Sequence, residues 1–510
     1  MMEKERTSIL DIIDETVQRY SQQEAVIDPY TSLTWEQLQH EAKQIGNVIL
    51  QQVRPEKSGY PVAVFSEKTV ELMATVMGIN YAGGFYVYIN PEQPADRITK
   101  ILDVLEPSLC IVSEELAERW EDMELRIPAI TMEDAKQAVV VHGIKKMRQN
   151  VSRETPLYGV FTSGSTGVPK CVLVSHGAAM DFIRHFVETF EFTQEDILAN
   201  QAPFDFDVSI KDIVTAYYTG AKLVLIPREY FSTPPRLLDY ICDAKVTNLT
   251  WAVSALCVVS GLKGFDYRVP MTVKRVMFSG EVMPMKQLEL WQQNLPDARF
   301  VNLYGPSEIT CNCMYYELNR TYGSEEKLPL GQAFEGRTIY LLDENGASIL
   351  GPNQPGEICV AGESLAIGYY NNEEQTRKHF VTHQTMDGSS IRLYCTGDLA
   401  EYAEDGELYF AGRKDFQIKH MGHRIELEEI ERSMNAIQGV ERCICNYDAK
   451  RQRITAFYTG DIDKTTLHLK MKERLPVYMV PNRFFHVVQF ELNKNGKIDR
   501  GRLEVLEEVS

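Results

Sequence analysis

The stretch with the clearest chemical potential reads Tyr158-Gly-Val-Phe-Thr-Ser-Gly-Ser-Thr-Gly-Val-Pro-Lys170. Thr162, Ser163, Ser165 and Thr166 are interleaved with Gly164 and Gly167, and Lys170 closes the run. Hydroxyls and bare glycine amides can close on an anion because no Cβ holds the backbone away, and a lysine adds a point charge for outer phosphates. Val168 and Pro169 separate the last glycine from the lysine, so this is not a Walker loop. The alternative is a solvated Ser/Gly turn between two strands. Further groups lie downstream. Asp205 and Asp207 sit among apolar residues in Phe204-Asp-Phe-Asp-Val-Ser-Ile-Lys-Asp-Ile213, where acids often cap helices. Apolar segments end on Ser279-Gly-Glu281, on Tyr304-Gly-Pro-Ser-Glu308 and on Thr396-Gly-Asp398.

The elements that must position these groups alternate between strand and helix. Ile9, Leu10, Ile12, Ile13 and Val17 recur at helical spacing, and Thr34 is a fitting N-cap for a helix that begins in Leu33-Thr-Trp-Glu-Gln-Leu38. Pro61–Phe65, Leu109–Val112 and Leu223–Ile226 read as buried strands, and helical patterns lie between such runs. This predicts an α/β fold with a largely parallel sheet, in which ligands bind at strand ends. Beyond residue 330 the strands shorten and turns multiply, which predicts a β-rich subdomain. Gly412-Arg-Lys-Asp-Phe416 marks a break, and a small α+β domain closes the chain.

At 510 residues the chain exceeds one ordinary hydrophobic core, so two or more domains are expected. A formal net charge of -19 argues against nucleic-acid binding, which draws its affinity from basic groups. The charged N-terminus is followed by no uninterrupted apolar run, which predicts neither a signal peptide nor a membrane segment and places the protein in the cytoplasm. The ten cysteines are dispersed, and the close pairs Cys311/Cys313 and Cys443/Cys445 are poorly spaced for zinc. Free thiols are the expected state.

Taken in order, the motifs resemble those of the adenylate-forming superfamily, and specifically the amino-acid-activating adenylation domains of nonribosomal peptide synthesis and their stand-alone relatives. The phosphate-loop candidate is followed by Tyr304-Gly-Pro-Ser-Glu308, Gly356-Glu-Ile358, Thr396-Gly-Asp398, Gly412-Arg-Lys-Asp415, Gly422-His-Arg-Ile-Glu426 and Asn495-Gly-Lys497, across nearly the whole chain. The resemblance implies a large N-terminal core over residues 1–411 holding ATP and substrate, a hinge at 412–416, and a small mobile C-terminal domain over 417–510. It also implies the chemistry. A carboxylate attacks the α-phosphate of Mg-ATP, pyrophosphate leaves, and the acyl group then passes to a phosphopantetheine thiol. In this reading Thr162, Ser163, Gly164, Ser165, Thr166, Gly167 and Lys170 hold the β- and γ-phosphates. Asn302 and Tyr304 bracket the adenine, Asp398 takes both ribose hydroxyls, and Arg413 helps at the ribose and phosphate end. Glu308 ligates Mg2+, Lys497 is the catalytic lysine, and Asp415 is the hinge about which the small domain turns.

The same resemblance makes Asp207 the partner of a substrate α-ammonium, with Asp205 as the competing register. Val208, Lys211, Met277, Ser279, Leu303 and Cys311 then line the side-chain pocket, with Trp251 nearby. Lys211 has two readings: an ion pair with an acidic substrate side chain, or a packed stem with its ammonium in water. Phe278-Ser-Gly-Glu-Val-Met-Pro284 and Gly412-Arg-Lys-Asp-Phe-Gln-Ile-Lys419 resemble stand-alone ligases that charge D-alanine onto a carrier. Those ligases tend to have cysteine where Ser279 stands, and a neutral residue in place of Lys211.

The chain holds no Leu-Gly-Gly-x-Ser attachment site, so the carrier is expected to be a separate polypeptide acting with a monomer of this enzyme. Two other functions remain open on sequence: an acyl- or aryl-CoA ligase sharing the first half-reaction, and a nucleotide-binding interaction module without catalysis.

Overall fold

The structure is a computed structural model that describes residues 6–137, 143–164, 167–323, 326–385, 388–449, 451–491 and 503. It divides into two compact units. One comprises Met1–Pro91, Leu105–Val160 and Cys171–Lys414; the other comprises Glu92–Val104, Phe161–Lys170 and Asp415–Ser510.

In the first unit, a nine-stranded sheet has a parallel centre formed by Ile197–Asn200, Lys222–Leu225, Asn248–Ala252, Arg275–Ser279 and Arg299–Tyr304. Antiparallel strands flank that centre at both edges. A seven-stranded sheet contains the parallel strands Pro61–Phe65, Phe85–Ile89 and Leu109–Val112, each buried at every residue. Continuous burial is what helices on both faces of a parallel sheet produce. The helix Trp35–Val53 starts as expected: the Thr34 hydroxyl accepts from the Gln37 amide, and the Gln37 side chain accepts in return from the Thr34 amide. The region beyond residue 330 forms a five-stranded antiparallel sheet built on Arg337–Leu342, Gly356–Gly362, Phe380–Gln384, Ser390–Tyr402 and Leu408–Arg413. The α/β class and the β-rich region are as the sequence predicts.

Two apolar clusters lie against the nine-stranded sheet. Met277, Val301 and Leu303 belong to one; Trp251, Phe278 and Trp291 belong to the other. Side chains alternate across a strand, so neighbours in sequence enter different cores.

The second unit has its own core around Ile425, Ile430, Cys445, Phe484 and Leu467. A hairpin of Gln417–His420 with His423–Glu426 precedes a three-stranded sheet, Val440–Asp448, Arg453–Gly460 and Arg483–His486. The helix Ala95–Leu105 contributes most of its length to this unit, and Arg97 forms a buried ion pair with Glu429.

Candidate functional site

The buried helix Val208–Thr219 carries Lys211 and Asp212, and Asp207 precedes it. Asp207 is its N-cap residue, yet its carboxylate does not cap the helix. Burial pushes the Asp207 carboxyl up, while Ser307 and the Lys211 ammonium oppose the shift. Lys211 lies four residues on, on the same helical face, at a rise of about 6 Å.

Lys211 does not reach water. It is only 1% exposed, and its ammonium donates to Ser279 Oγ at 3.1 Å and to Asn312 Oδ1 at 3.0 Å. Burial lowers its pKa, opposed by Cys311, Asp207 and Asp212. An ammonium has three donors, and these two bonds use two of them. The reading of a snorkelling ammonium is therefore corrected: the stem is too deep in the fold for the head to leave it.

Each partner comes from a different element. Ser279 ends the strand Arg275–Ser279, on the same face as Met277, whose sulfur lies 4.0 Å from Thr250 Oγ1. Cys311 and Asn312 follow a strained turn: Thr310 and Cys311 have φ of 56° and 71°, left-handed values that are costly for residues with a Cβ. Gly305 permits the chain to double back there, because a Cβ on it would meet the Asn312 Cα at 2.5 Å. Cys311 Sγ lies 3.4 Å from the Asp207 carbonyl, and burial raises its pKa. Val208 and Leu303 are buried as well.

Trp251 departs from the expectation. It pairs in register with Phe278, whereas Thr250 pairs with Met277, so strand alternation turns its indole to the opposite face. There it donates to the Ala199 carbonyl at 2.8 Å and packs edge-on against Phe231. It does not line the pocket.

Sequence reasoning missed Asn312 and Lys68. The Lys68 ammonium donates to the Asn200, Gln201 and Ala202 carbonyls at 3.0, 2.9 and 3.4 Å, and burial lowers its pKa to about 7. Its charge offsets part of the burial that pushes Asp212 up to about 7. Lys68 follows a buried strand end, which was the available signal; Asn312 had only its adjacency to Cys311.

A second cluster gathers at the ends of the five-stranded and nine-stranded sheets. The Tyr304 hydroxyl donates to Asp398 Oδ2 at 2.7 Å, and Arg413 pairs with the other Asp398 oxygen. Asp398 sits within the strand Ser390–Tyr402 and is fixed from both sides. Its amide donates to Thr396 Oγ1 at 3.0 Å, and that hydroxyl donates to the Ile358 carbonyl at 2.8 Å. Asn302 donates to the Pro329 carbonyl at 2.9 Å. Glu308 is fully buried in a short turn and accepts from the Tyr369 hydroxyl at 2.6 Å.

The described part of the Gly/Ser-rich loop belongs to the second unit. The Gly167 amide donates to the Gly164 carbonyl at 2.8 Å, and a Cβ at Gly164 would meet the Val168 carbonyl oxygen at 2.1 Å. The Ser163 hydroxyl donates to the Arg424 carbonyl at 2.6 Å and accepts from the Glu426 amide at 3.2 Å. Thr162 Oγ1 lies 3.5 Å from the Lys170 carbonyl, and the Lys170 charge acts on the buried Glu426 carboxyl. Asp415 accepts from the Gln417 amide at 3.2 Å. Ser165, Thr166 and Lys497 lie outside the described residues.

A parallel-sheet scaffold with a buried carboxylate, a buried ammonium and a Tyr-Asp-Arg cluster at strand ends fits the class of enzymes that activate carboxylates with a nucleotide. Residues 13–370 match the family described as AMP-binding enzyme, and the chain belongs to that family. It is 29% identical over 498 residues to bacitracin synthase 1 of Bacillus licheniformis, covering 97% of this chain and 9% of that protein. It is 28% identical over 513 residues to zwittermicin A synthase ZmaJ of Bacillus cereus, covering 98% and 95%. The chain thus spans less than a tenth of bacitracin synthase 1, and 8% of tyrocidine synthase 3 of Brevibacillus parabrevis.

Among solved structures, IdnL1 superposes with a TM-score of 0.82 at 25% identity, covering 96% of this chain and 100% of that one. O-succinylbenzoate CoA synthetase (MenE) from Bacillus subtilis shares the fold at a TM-score of 0.83 and 18% identity, covering 98% and 99%. The chain is an adenylate-forming enzyme of the AMP-binding family, and it shares its fold with solved nonribosomal peptide synthetase proteins that contain adenylation domains. Among the described residues no helix is long and apolar enough to cross a membrane.

Proposed function

We propose that the enzyme activates an amino acid as its aminoacyl adenylate and transfers it to the phosphopantetheine thiol of a separate carrier protein. The observation that carries this reading is the uncapped, buried Asp207 carboxylate one helical turn from the buried Lys211 ammonium. The charges that face each group offset its burial only in part, so each favours a ligand of opposite sign. An α-ammonium satisfies Asp207. A side-chain carboxylate satisfies Lys211 and takes up its third donor. The short separation between them favours an α-amino acid with a short acidic side chain.

Asp398 has acceptor sites for the ribose hydroxyls of ATP, Tyr304 and Asn302 serve the adenine, and Arg413 serves the ribose and phosphate end. Thr162, Ser163, Gly164, Ser165, Thr166, Gly167 and Lys170 would hold the outer phosphates. Glu308 offers Mg2+ the hard oxygen donor it prefers, and one carboxylate beside substrate phosphates is an ordinary donor set for this ion. When bound, Mg2+ would neutralise phosphate charge. Lys497 would stabilise charge developing at the α-phosphate, with Asp415 as the pivot that brings it in and withdraws it. The solved protein PA1221, which shares the fold at a TM-score of 0.84 and 24% identity, contains adenylation and PCP domains, and this supports a carrier partner.

An ATP–pyrophosphate exchange panel of amino acids and simple carboxylic acids tests the reading. Aspartate-like substrates are expected to lead. Exchange with simple carboxylic acids and with no amino acid would instead establish a CoA-ligase-type enzyme. Preference for a neutral amino acid would reject the acidic side chain while leaving amino acid activation standing.

A further inference from the structure

Asp398 lies in a bulge between two antiparallel strands. Glu357 lies opposite Leu399 and Cys359 lies opposite Cys395, so Thr396, Gly397 and Asp398 bulge out against the single residue Ile358. Bulges re-aim side chains beside active sites. This one is anchored by Glu357, which accepts from the Gly397 amide at 2.8 Å and from the Lys414 ammonium at 3.0 Å. Beside it lies the Cys359–Cys395 pair, with sulfurs 3.2 Å apart. Neither thiol has a place in the adenylation chemistry.

We propose that Cys359 and Cys395 form a reversible dithiol/disulfide pair, closed by a hydroperoxide, that controls the placement of Asp398. Directly opposed residues on antiparallel strands meet the spacing a disulfide needs. Cys395 is half-buried and accessible to a small oxidant, whereas Cys359 is 1% exposed. The Cys359 thiol donates to the Cys395 sulfur; that bond lowers the Cys395 pKa against burial and the Glu357 charge, with a smaller contribution from Lys414, and raises that of Cys359. Cys395 is thus the attacking thiolate and Cys359 the resolving thiol.

The Cys395 sulfur attacks the hydroperoxide, the O–O bond breaks, and the displaced alkoxide takes the proton that Cys395 gave up. Cys359 then displaces hydroxide from the sulfenic acid, and this leaves as water with the Cys359 proton. Two thiols lose two electrons in total; the hydroperoxide becomes an alcohol and water. Closing to a bond of about 2.05 Å draws the sulfurs together by about 1 Å. A displacement of about 1 Å can cost about 10²-fold in rate.

The test exposes the full chain to hydrogen peroxide, traps remaining thiols by alkylation and maps peptides by mass spectrometry. The expected first product is the Cys359–Cys395 cross-link, with ATP–pyrophosphate exchange falling about 10²-fold and recovering in dithiothreitol. Cys395→Ser should keep the starting rate and resist peroxide. Cys359→Ser should stop at a dimedone-reactive Cys395. Earlier oxidation of Cys443 and Cys445, whose sulfurs are 3.9 Å apart, would overturn the proposal. So would a cross-link without loss of exchange, or the same loss in Cys395→Ser. Glu357 and the two thiols also lie within 4.8 Å of one another, so retained zinc that blocks the cross-link would overturn it too.

Discussion

Tyr304 donates its hydroxyl to Asp398 at 2.7 Å, joining motifs that lie 94 positions apart. With Arg413 on the second oxygen, the carboxylate is held at both ends before any nucleotide contact. Hydrogen bonds to charged groups contribute about 1.5–3 kcal/mol. Tyr304→Phe is therefore expected to raise the KM for ATP roughly 10- to 100-fold while leaving the thermal melt close to wild type. Exchange kinetics against ATP, with the amino acid saturating, provide the measurement. An unchanged KM would mean that Arg413 alone sets the carboxylate.

Asp207→Asn preserves shape and removes the charge. Truncating one side of a buried charge pair costs about 2–5 kcal/mol, so kcat/KM for the amino acid should fall roughly 30- to 4000-fold. The KM for ATP should move little. A variant that retains amino acid activation would shift the ammonium partner to Asp205.

Lys211→Met keeps the length of the stem and discards the ammonium. An acidic substrate should lose about 10²-fold or more in kcat/KM, and a neutral amino acid of similar size should gain. Asn312→Ala should give a smaller loss in the same direction, since it leaves Ser279 to orient the ammonium. If the preference among substrates is the same before and after Lys211→Met, the ion-pair assignment is wrong.

His176 provides a stability signal independent of catalysis. It is fully buried at the start of the helix His176–Phe190, where its Nδ1 accepts from the Ile9 amide at 3.3 Å, and burial lowers its pKa from 6.5 to about 3. The unfolded chain takes up a proton as pH falls below 6.5, whereas the folded chain waits until about 3. The neutral ring's stability is thus present above 6.5 and lost as pH falls through that window, at up to about 1.4 kcal/mol per pH unit. Denaturant melts between pH 7 and 5 should show a one-proton slope that His176→Asn reduces. A slope unchanged by the substitution would exclude His176 as its source.

Much of this was legible in sequence because local rules governed it. Thr34 caps its helix, and the buried strands follow their apolar runs. Trp251 was misplaced because spacing along the chain does not state which face of a strand meets the pocket; its register with Phe278 does. Lys211 kept two readings because the depth of a helix is a tertiary property. The opposition of Cys359 and Cys395 was invisible, since a bulge between them shifts the register that simple alternation would suggest. The loop from Phe161 to Lys170 clusters with the C-terminal residues through bonds such as Ser163 to Arg424, which no local pattern announces.

The left-handed pair Thr310–Cys311 has a consequence for how such an enzyme changes its diet. Backbone strain and the close pass at Gly305 hold the loop's path, while Lys211, Ser279 and Asn312 arrive from a helix, a strand end and that loop. Their side chains can be exchanged one at a time without redrawing the main chain. Under the proposed assignment of this pocket, substrate choice is open to drift by single substitutions, each tested against an unchanged frame.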